Sequence, residues 1–256
     1  SAPGGGWLVM DTLDRSEGLR ATAAMTVGYA RNPLRIDSTE NAERLAVVSK
    51  QAFTLFGFAV DYERFRFYAN LHMPLVLRGQ SGTVAGYVHT APDLDPSSHP
   101  DTLADARFGF DVLLYGAPHD PCRLGAGAQL FIPSGEPDDY QTDDTYRAMG
   151  RVLVAGDFGP LTYAGHLGVH LRPRDDSPAP FGPQGSELLF GMAAGPRISL
   201  TPELSAQIGP ELFGETAFRS MFAGQTTGLE WLLTGQLERR LSPKQYLRGH
   251  IGFGSG

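Results

Sequence analysis

The sequence predicts an all-β fold, an antiparallel up-and-down transmembrane β-barrel of about twelve strands. The first indication is the stretch from Tyr146 to Arg172, where two runs of alternating apolar and polar residues flank a tight turn at residues 157–160. Similar runs recur along the chain, and the connections between them alternate between short and long. Because successive side chains of a strand point to opposite faces, each run is expected to form a strand with one apolar and one polar face.

Composition allows one or two soluble domains or a single barrel in the 256 residues. No long uninterrupted apolar run occurs, which argues against a transmembrane helix, whereas the lipid face of a barrel uses only alternate residues. Glycine is abundant, with 32 residues, and lysine is limited to Lys50 and Lys244. The net charge of −7 and the lack of a basic stripe argue against nucleic acid as a partner.

The N-terminal residues 1–17 are predicted to form a flexible segment ahead of an outer-membrane β-barrel domain at 18–256. The first six residues are small, as a mature terminus would be after removal of a signal peptide, which fits export. The apolar group Trp7–Met10 could plug the barrel, pair with the sheet or remain free. The single cysteine, Cys122, is expected to be a passive turn residue rather than a nucleophile.

Alternation predicts about eleven strands in the chain. They cover residues 19–31, 46–61, 65–77, 104–115, 123–133, the two runs of 146–172, 187–199, 204–215, 227–239 and 245–253. Pro74 cannot donate to a strand ladder, so a bulge or the end of a strand is expected there.

The connections predict the orientation of the barrel. The short ones are at 62–64, 116–122, 158–160, 200–203 and 240–244, and the longer ones are at 32–45, 79–103, 134–145, 173–186 and 216–226. Outer-membrane barrels have short periplasmic turns and long extracellular loops. The pattern therefore predicts a bacterial outer-membrane protein with a periplasmic N-terminus and extracellular long loops.

An odd number of strands would leave unpaired backbone groups in lipid, and bacterial single-chain barrels are even-stranded. A closing twelfth strand is therefore expected beyond Gly256. Two alternatives remain: the segment at 7–10 completes the sheet, or two strands have been merged into one.

The inner face of the predicted barrel is charged. Its residues are Arg66, Asp105, Arg107, Asp111, Arg123, Arg147, Arg151, Asp157, Glu187, Arg197, Glu211, Glu230 and Arg248. Enclosed charges must pair or remain hydrated. They could line or gate a pore, or they could form a structural salt-bridge network that fills a narrow lumen.

Neither metal binding nor catalysis is expected, and no cofactor is predicted. His166 and His170 share a face, but four residues of a strand span about 13 Å, which is too far for one metal ion. The acidic loop with Glu136, Asp138, Asp139, Asp143 and Asp144 could collect calcium, although such loops are more often simply hydrated. No nucleophile elbow, phosphate loop or paired-cysteine motif occurs, and most strand histidines point inward, so the chain is not expected to be an enzyme.

Aromatic residues on outward or strand-end positions predict interfacial girdles if the fold is a barrel, and core positions if it is a soluble sandwich. They are Tyr29, Phe56, Phe58, Phe65, Phe67, Phe108, Phe158, Tyr163 and Trp231.

Three glycine-rich runs, at 105–109, 125–135 and 209–214, resemble the barrel half of larger OmpA-like outer-membrane proteins. The resemblance extends from Arg20 to the end of the chain. In that family a signal peptide precedes the barrel, and a C-terminal periplasmic domain binds peptidoglycan. No residue of this chain corresponds to that domain, and the resemblance implies no particular substrate.

Three functions remain open. The first is an outer-membrane barrel that serves as a porin-like channel or membrane anchor with a charged lumen. The second is a surface receptor, adhesin or assembly component whose extracellular loops act on a plugged barrel. The third is a soluble all-β binding protein whose apolar faces pack in a core. For the barrel, the expected partners are outer-membrane lipid and lipopolysaccharide, and other envelope proteins that bind the outer loops.

Overall fold

The structure is a computed structural model that describes residues 3–15, 18–37, 44–84, 86–92, 104–135, 142–173, 185–224, 226–242 and 245–256. Its main element is an eleven-stranded sheet, which confirms the prediction of an all-β antiparallel barrel fold. The strands are β1 (Leu19–Asp37), β2 (Arg44–Tyr62), β3 (Phe65–Arg78), β4 (Gly82–Val84), β5 (Tyr87–His89), β6 (Ala106–Tyr115), β7 (Arg123–Ile132), β8 (Arg147–Phe158), β9 (Leu161–Leu171), β10 (Glu187–Thr201), β11 (Leu204–Ala217), β12 (Thr227–Ser242) and β13 (Gln245–Ser255). None of the described residues form a helix long and apolar enough to cross a membrane.

The sheet follows the chain order β1-β2-β3-β6-β7-β8-β9-β10-β11-β12-β13, and every neighbouring pair is antiparallel. The strands β4 and β5 form a separate small hairpin. At the two ends of the order, β1 and β13 each pair with a single described strand. Because the strands alternate in direction, β1 and β13 run the same way, and we call the space between them the seam.

The predicted alternation of connections is present. The short turns join β2 to β3, β6 to β7, β8 to β9, β10 to β11 and β12 to β13, and they lie on one rim, here called the short-turn rim. The other ends of these strands lie on the opposite rim, here called the long-loop rim. Leu19 pairs with Tyr62, so the chain enters the sheet at the short-turn rim.

Two local features differ from the sequence prediction, and a third confirms it. At the long-loop rim β1 continues to Asp37, past the predicted end at residue 31, and β2 begins at Arg44 rather than at residue 46. Register shifts between Arg31 and Ile36 interrupt the alternation there, so it did not indicate this extension. The loop predicted at 79–103 contains the hairpin β4–β5, whose three-residue strands are too short to show a period. The bulge expected at Pro74 is confirmed: Pro74 pairs with Phe53 and Val76 with Ala52, so one residue is inserted.

Polarity is reversed relative to a water-soluble sandwich. Outward apolar side chains are exposed, for example Phe58 at 52%, Leu167 at 55% and Ile251 at 77%. Inward charged residues such as Arg66 and Glu211 are 0% exposed. The concave face therefore encloses a polar interior, which we call the lumen.

Inward aromatic rings pack over glycines of neighbouring strands. A Cβ added at Gly109 would overlap the ring of Tyr68, and one added at Gly28 would overlap the ring of Phe53. Tyr68 is 4% exposed and its hydroxyl lies 2.6 Å from Nε2 of Gln129, so the ring has a fixed position. These glycines provide the space that the rings need inside a narrow lumen.

We expect Gly109→Ala to lower the free energy of unfolding by about 1–3 kcal/mol, because the ring of Tyr68 must move. The matched control is Gly150→Ala, where the added methyl group would meet no atom within 4 Å. That change should stay within about 0.5 kcal/mol of the parent. The stability of both variants is measured by urea titration, with the gel mobility of the folded protein as the readout. Equal stability of the two variants would contradict the packing described.

Candidate functional site

The lumen is filled in part by the N-terminal residues 3–15, which we call the plug. Of the three arrangements left open by the sequence, this is the one the structure contains. Trp7, Met10 and Leu13 are at most 3% exposed. They form an apolar cluster with the inward residues Leu113, Leu153, Ala155, Ala164 and Ala193 of β6, β8, β9 and β10. Small wall residues leave room for the large plug side chains.

Glu211 of β11 holds the backbone of the plug. Its Oε1 accepts a hydrogen bond from the Leu8 N–H at 2.8 Å, and its Oε2 accepts from the N–H groups of Val9 at 2.8 Å and Met10 at 2.9 Å. The plug has no strand ladder to satisfy these donors, and hydrogen bonds to a carboxylate are stronger than neutral ones. Glu211 therefore binds the plug rather than lining open space.

Asp11 of the plug joins the wall through Arg66 of β3, whose Nη1 lies 3.1 Å from Oδ2 of Asp11. Arg66 also pairs with Asp61 of β2, and Asp61 pairs with Arg20 of β1 at 2.9 Å. Burial alone would raise the pKa of Asp11, but the guanidinium groups of Arg15 and Arg66 and the N–H of Leu13 outweigh it and hold the pKa well below its ordinary value. Asp11 is thus an anion inside the lumen.

A second contact between plug and wall lies at the short-turn rim. Nε of Arg123 donates to the carbonyl oxygen of Thr12 at 3.0 Å, and its Nη1 donates to Asp157 at 2.8 Å. Asp14 lies 3.5 Å from Arg123 and 3.7 Å from Arg197. The guanidinium of Arg123 is 0% exposed, so these partners complete its neutralisation.

Other wall charges pair without the plug. At mid-depth, Nη2 of Arg151 lies 2.9 Å from Asp111 and 3.0 Å from the hydroxyl of Tyr68. At the long-loop rim, a chain of ion pairs crosses from β6 to β10. It runs through Asp105, Arg147, Asp143, Arg172 and Glu187, and Nδ1 of His170 lies 3.1 Å from Oε2 of Glu187. The wall charges at these two levels are thus paired within the wall itself.

Twelve of the thirteen charged residues selected from the sequence lie on the concave face by register, and Asp105 directly precedes β6. The structure brings most of the thirteen into pairs. Arg248 contacts Glu238 and donates to the carbonyl oxygen of Gly4 at 2.7 Å. Among the described residues, three of the thirteen have no ion-pair partner: Glu211, which accepts the backbone N–H groups of the plug, Arg107 and Glu230. The guanidinium of Arg107 instead lies over the ring of Phe131, 4.9 Å from its centroid.

The sequence analysis did not select several residues of the site. Asp11 and Asp14 lie in the segment expected to be flexible, where no periodic pattern exists to assign a face. Asp61 and Tyr68 stand on inward positions of β2 and β3, next to Arg66 in register. The same alternation that selected Arg66 could have selected both.

One group of side chains resembles a metal site. Donor atoms of Asp14, His119 and Asp157 lie within 4.8 Å of one another. The guanidinium of Arg123 contacts both carboxylates, so an arginine already supplies the positive charge there. Part of the acidic loop considered for calcium, residues 136–141, lies outside the described residues.

Comparison with known proteins does not place this chain in a family: no protein-family model matches it, and no curated protein matches its sequence. The resemblance to OmpA-like barrels therefore stays a prediction.

We expect Glu211→Gln to loosen the plug. The glutamine side chain has only one acceptor oxygen. Its NH₂ group would face the backbone N–H groups of residues 8–10 and cannot accept a hydrogen bond from them. The loss should be about 1–3 kcal/mol, which corresponds to roughly 5–150-fold faster amide exchange at Leu8, Val9 and Met10. Hydrogen exchange read by mass spectrometry measures this change. Glu203→Gln, on the exposed turn between β10 and β11, is the matched control, and equal protection in both variants would contradict the clamp.

Proposed function

We propose that the protein is an outer-membrane β-barrel that acts as a membrane anchor with an occluded lumen. The observation that carries this proposal is the reversed polarity of the sheet. A belt of exposed apolar side chains covers the outward faces of β1–β3 and β6–β13, while the buried charges lie inside. Contiguous apolar surface of this extent costs free energy in water and is stabilised by the hydrocarbon of a bilayer.

Strand length and aromatic positions support the same placement. The sheet strands have 10–19 residues, and about 9–11 tilted residues cross a bilayer. Eight of the nine aromatic residues selected from the sequence are exposed, and the ninth, Tyr163, stacks on Phe158 near the short-turn rim. Tyr62 and Phe65 lie on that rim as well, while Trp231 lies toward the other. Aromatic rings at both ends are typical of interfacial girdles.

The plug favours a membrane anchor rather than a permanently open pore. Its apolar cluster and the Glu211 clamp occupy the lumen from the short-turn rim to mid-depth, and the paired charges above need no solvating channel. By the usual orientation of such barrels, the short turns face the periplasm and the long loops the outside. The lipid partners are then outer-membrane lipid and lipopolysaccharide, and the OmpA-like resemblance agrees with this assignment.

A gated, porin-like channel is the second candidate. Besides its apolar cluster, the plug contacts the wall through hydrogen bonds and ion pairs, which water could replace if residues 3–15 moved out of the lumen. A receptor or adhesin would act through the long loops, several of which lie partly outside the described residues.

The membrane placement predicts a depth-dependent cost for charge on the outward face. Leu167→Arg, in the middle of β9, should lower the stability of the protein in vesicles by about 2–4 kcal/mol. Leu241→Arg is the matched control, since Leu241 is similarly exposed but lies at the short-turn end of β12; it should cost about 0–1 kcal/mol. Urea titration in vesicles measures both, and equal small costs would argue against a bilayer around the sheet.

Occlusion is tested in planar bilayers. We expect the parent protein, shown to be folded by heat-modifiable mobility on gels, to insert without steady current. Glu211→Gln should produce more frequent stepwise openings, because the plug is then less firmly held, while Glu203→Gln should remain silent. A steady open conductance of the parent would reject the anchor in favour of a channel.

A further inference from the structure

A row of inward side chains lies at the long-loop ends of β6, β7 and β8. By register, Arg107 of β6 pairs with Asn70 of β3 on one side and with Phe131 of β7 on the other. Phe131 in turn pairs with Arg147 of β8. We call these four residues the Arg107 row. Arg107 is the second residue of β6 and Arg147 the first of β8, so the row lies where these strands end.

Arg107 carries a charge that no carboxylate of a described residue neutralises. Its guanidinium lies 4.9 Å from the centroid of the Phe131 ring, and the guanidinium of Arg147 lies 5.0 Å from the same centroid. Arg147 is held by Asp105 at 2.6 Å, so that carboxylate is already paired. The neighbouring guanidinium of Arg147 repels the charge of Arg107. One of the two cations in the row is therefore left without a counter-charge among the described residues.

The row also has hydrogen-bond donors without acceptors. Nε of Arg107, Nε of Arg147 and Nδ2 of Asn70 are buried and make no hydrogen bond to a described residue. The side-chain acceptor of the row is Oδ1 of Asn70, and a Cβ added at Gly57 of β2 would meet it at 2.7 Å. This oxygen therefore points toward β2, on the side of β3 opposite to Arg107. A group that brings acceptors to the row would satisfy donors that are costly to leave unpaired.

The guanidinium of Arg107 is accessible from solution. The residue is half-buried, and its Nη1 and Nη2 remain accessible and donate to no described residue. The neighbouring ion pair is open to water as well, since the side chains of Arg147 and Asp143 are 17% and 21% exposed. The row lies on the enclosed face of the sheet, in the middle of the strand order and away from the seam. An occupant would therefore come from the aqueous phase rather than from lipid.

The chemistry of Arg107 favours an oxyanion. A guanidinium presents parallel N–H groups in one plane, which match two oxygens of a carboxylate or a phosphate group. The ring of Phe131 lies against the guanidinium and supports it. A halide ion offers no pair of oxygens, so it cannot use this geometry.

We propose that the Arg107 row binds a small oxyanion, the phosphate or carboxylate group of a solute in the aqueous part of the lumen. Nη1 and Nη2 of Arg107 donate two parallel hydrogen bonds to it. Arg147 adds a second positive charge, and Asn70 stands beside Arg107 as a further donor. This site goes beyond the proposed anchor and does not depend on the bilayer or on conduction.

The test titrates the folded protein, in micelles of an uncharged detergent, with inorganic phosphate or with acetate. Sodium chloride keeps the ionic strength constant. NMR of the side-chain Nε–H groups of isotope-labelled arginine reports each guanidinium, and the signal lost in Arg107→Lys identifies Arg107. We expect the Arg107 signal to move and to saturate with an oxyanion, while sodium chloride alone leaves it in place. The anion that saturates at the lower concentration identifies the class of solute.

Variants test the role of Arg107, with the Arg147 signal as the readout. Arg107→Gln should raise the anion concentration at half-saturation at least about tenfold, because it removes the charge and the paired donors. Arg107→Lys keeps the charge without the planar pair of donors, so its half-saturation should lie between those of the parent and Arg107→Gln. It carries the test if Arg107→Gln does not fold. Arg240→Gln, exposed at the short-turn end of β12, removes the same net charge and should bind like the parent.

Three results would overturn the inference. An Arg107 signal that stays in place at tens of millimolar phosphate and acetate would show that the row binds neither. Equal half-saturation in the parent, Arg107→Lys and Arg107→Gln would place the anion elsewhere. Movement of all arginine signals together without saturation would indicate general screening of charge. Each of these results would leave the membrane anchor intact, since that proposal rests on the outward face of the sheet.

Discussion

The structure depends on the local neutralisation of charges enclosed by the sheet. Arg66, Arg123 and Glu211 are fully buried on the inward faces of three different strands. Removing one partner of a buried ion pair costs about 3–5 kcal/mol, because the other charge is left without compensation. Each of these residues finds part of its compensation in the plug, through Asp11, the Thr12 carbonyl and three backbone N–H groups. Wall and plug therefore stabilise each other.

This dependence explains why the lumen is charged and yet occluded. The arginines and carboxylates that suggested a pore lining are mostly bound to one another or to residues 3–15. The apolar cluster around Trp7, Met10 and Leu13 fills further space between the walls. A lumen built in this way favours a rigid anchor, and any conductance requires the plug to leave a position that many separate contacts hold.

The seam introduces a second constraint. Edge strands present unpaired backbone groups, which are costly in hydrocarbon. Since β1 and β13 run in the same direction, direct contact between them would be parallel, unlike every other pair in the sheet. The plug lies behind both edges and leaves a small cavity with unsatisfied polar groups. The same segment thus fills the lumen and lies against β1 and β13.

The sequence by itself determined the strands, their faces and the alternation of short turns with long loops. Period two is a local property, so residues such as Leu167 and Arg151 could be assigned outward or inward without knowing their neighbours. The extra length of β1 and β2 could not be predicted, because register shifts interrupt the alternation there. The hairpin β4–β5 could not be predicted either, because strands of three residues are too short to show an alternation.

Only the tertiary structure decided which charges meet. Arg151 pairs with Asp111, forty residues away, and Glu211 binds the backbone some two hundred residues away at 8–10. Alternation assigns a face but not a position around the barrel or a depth within it, so partners depend on the combined register of many strands. The position of the plug could not be predicted either. A segment without periodicity takes its conformation only from the lumen that the rest of the chain encloses.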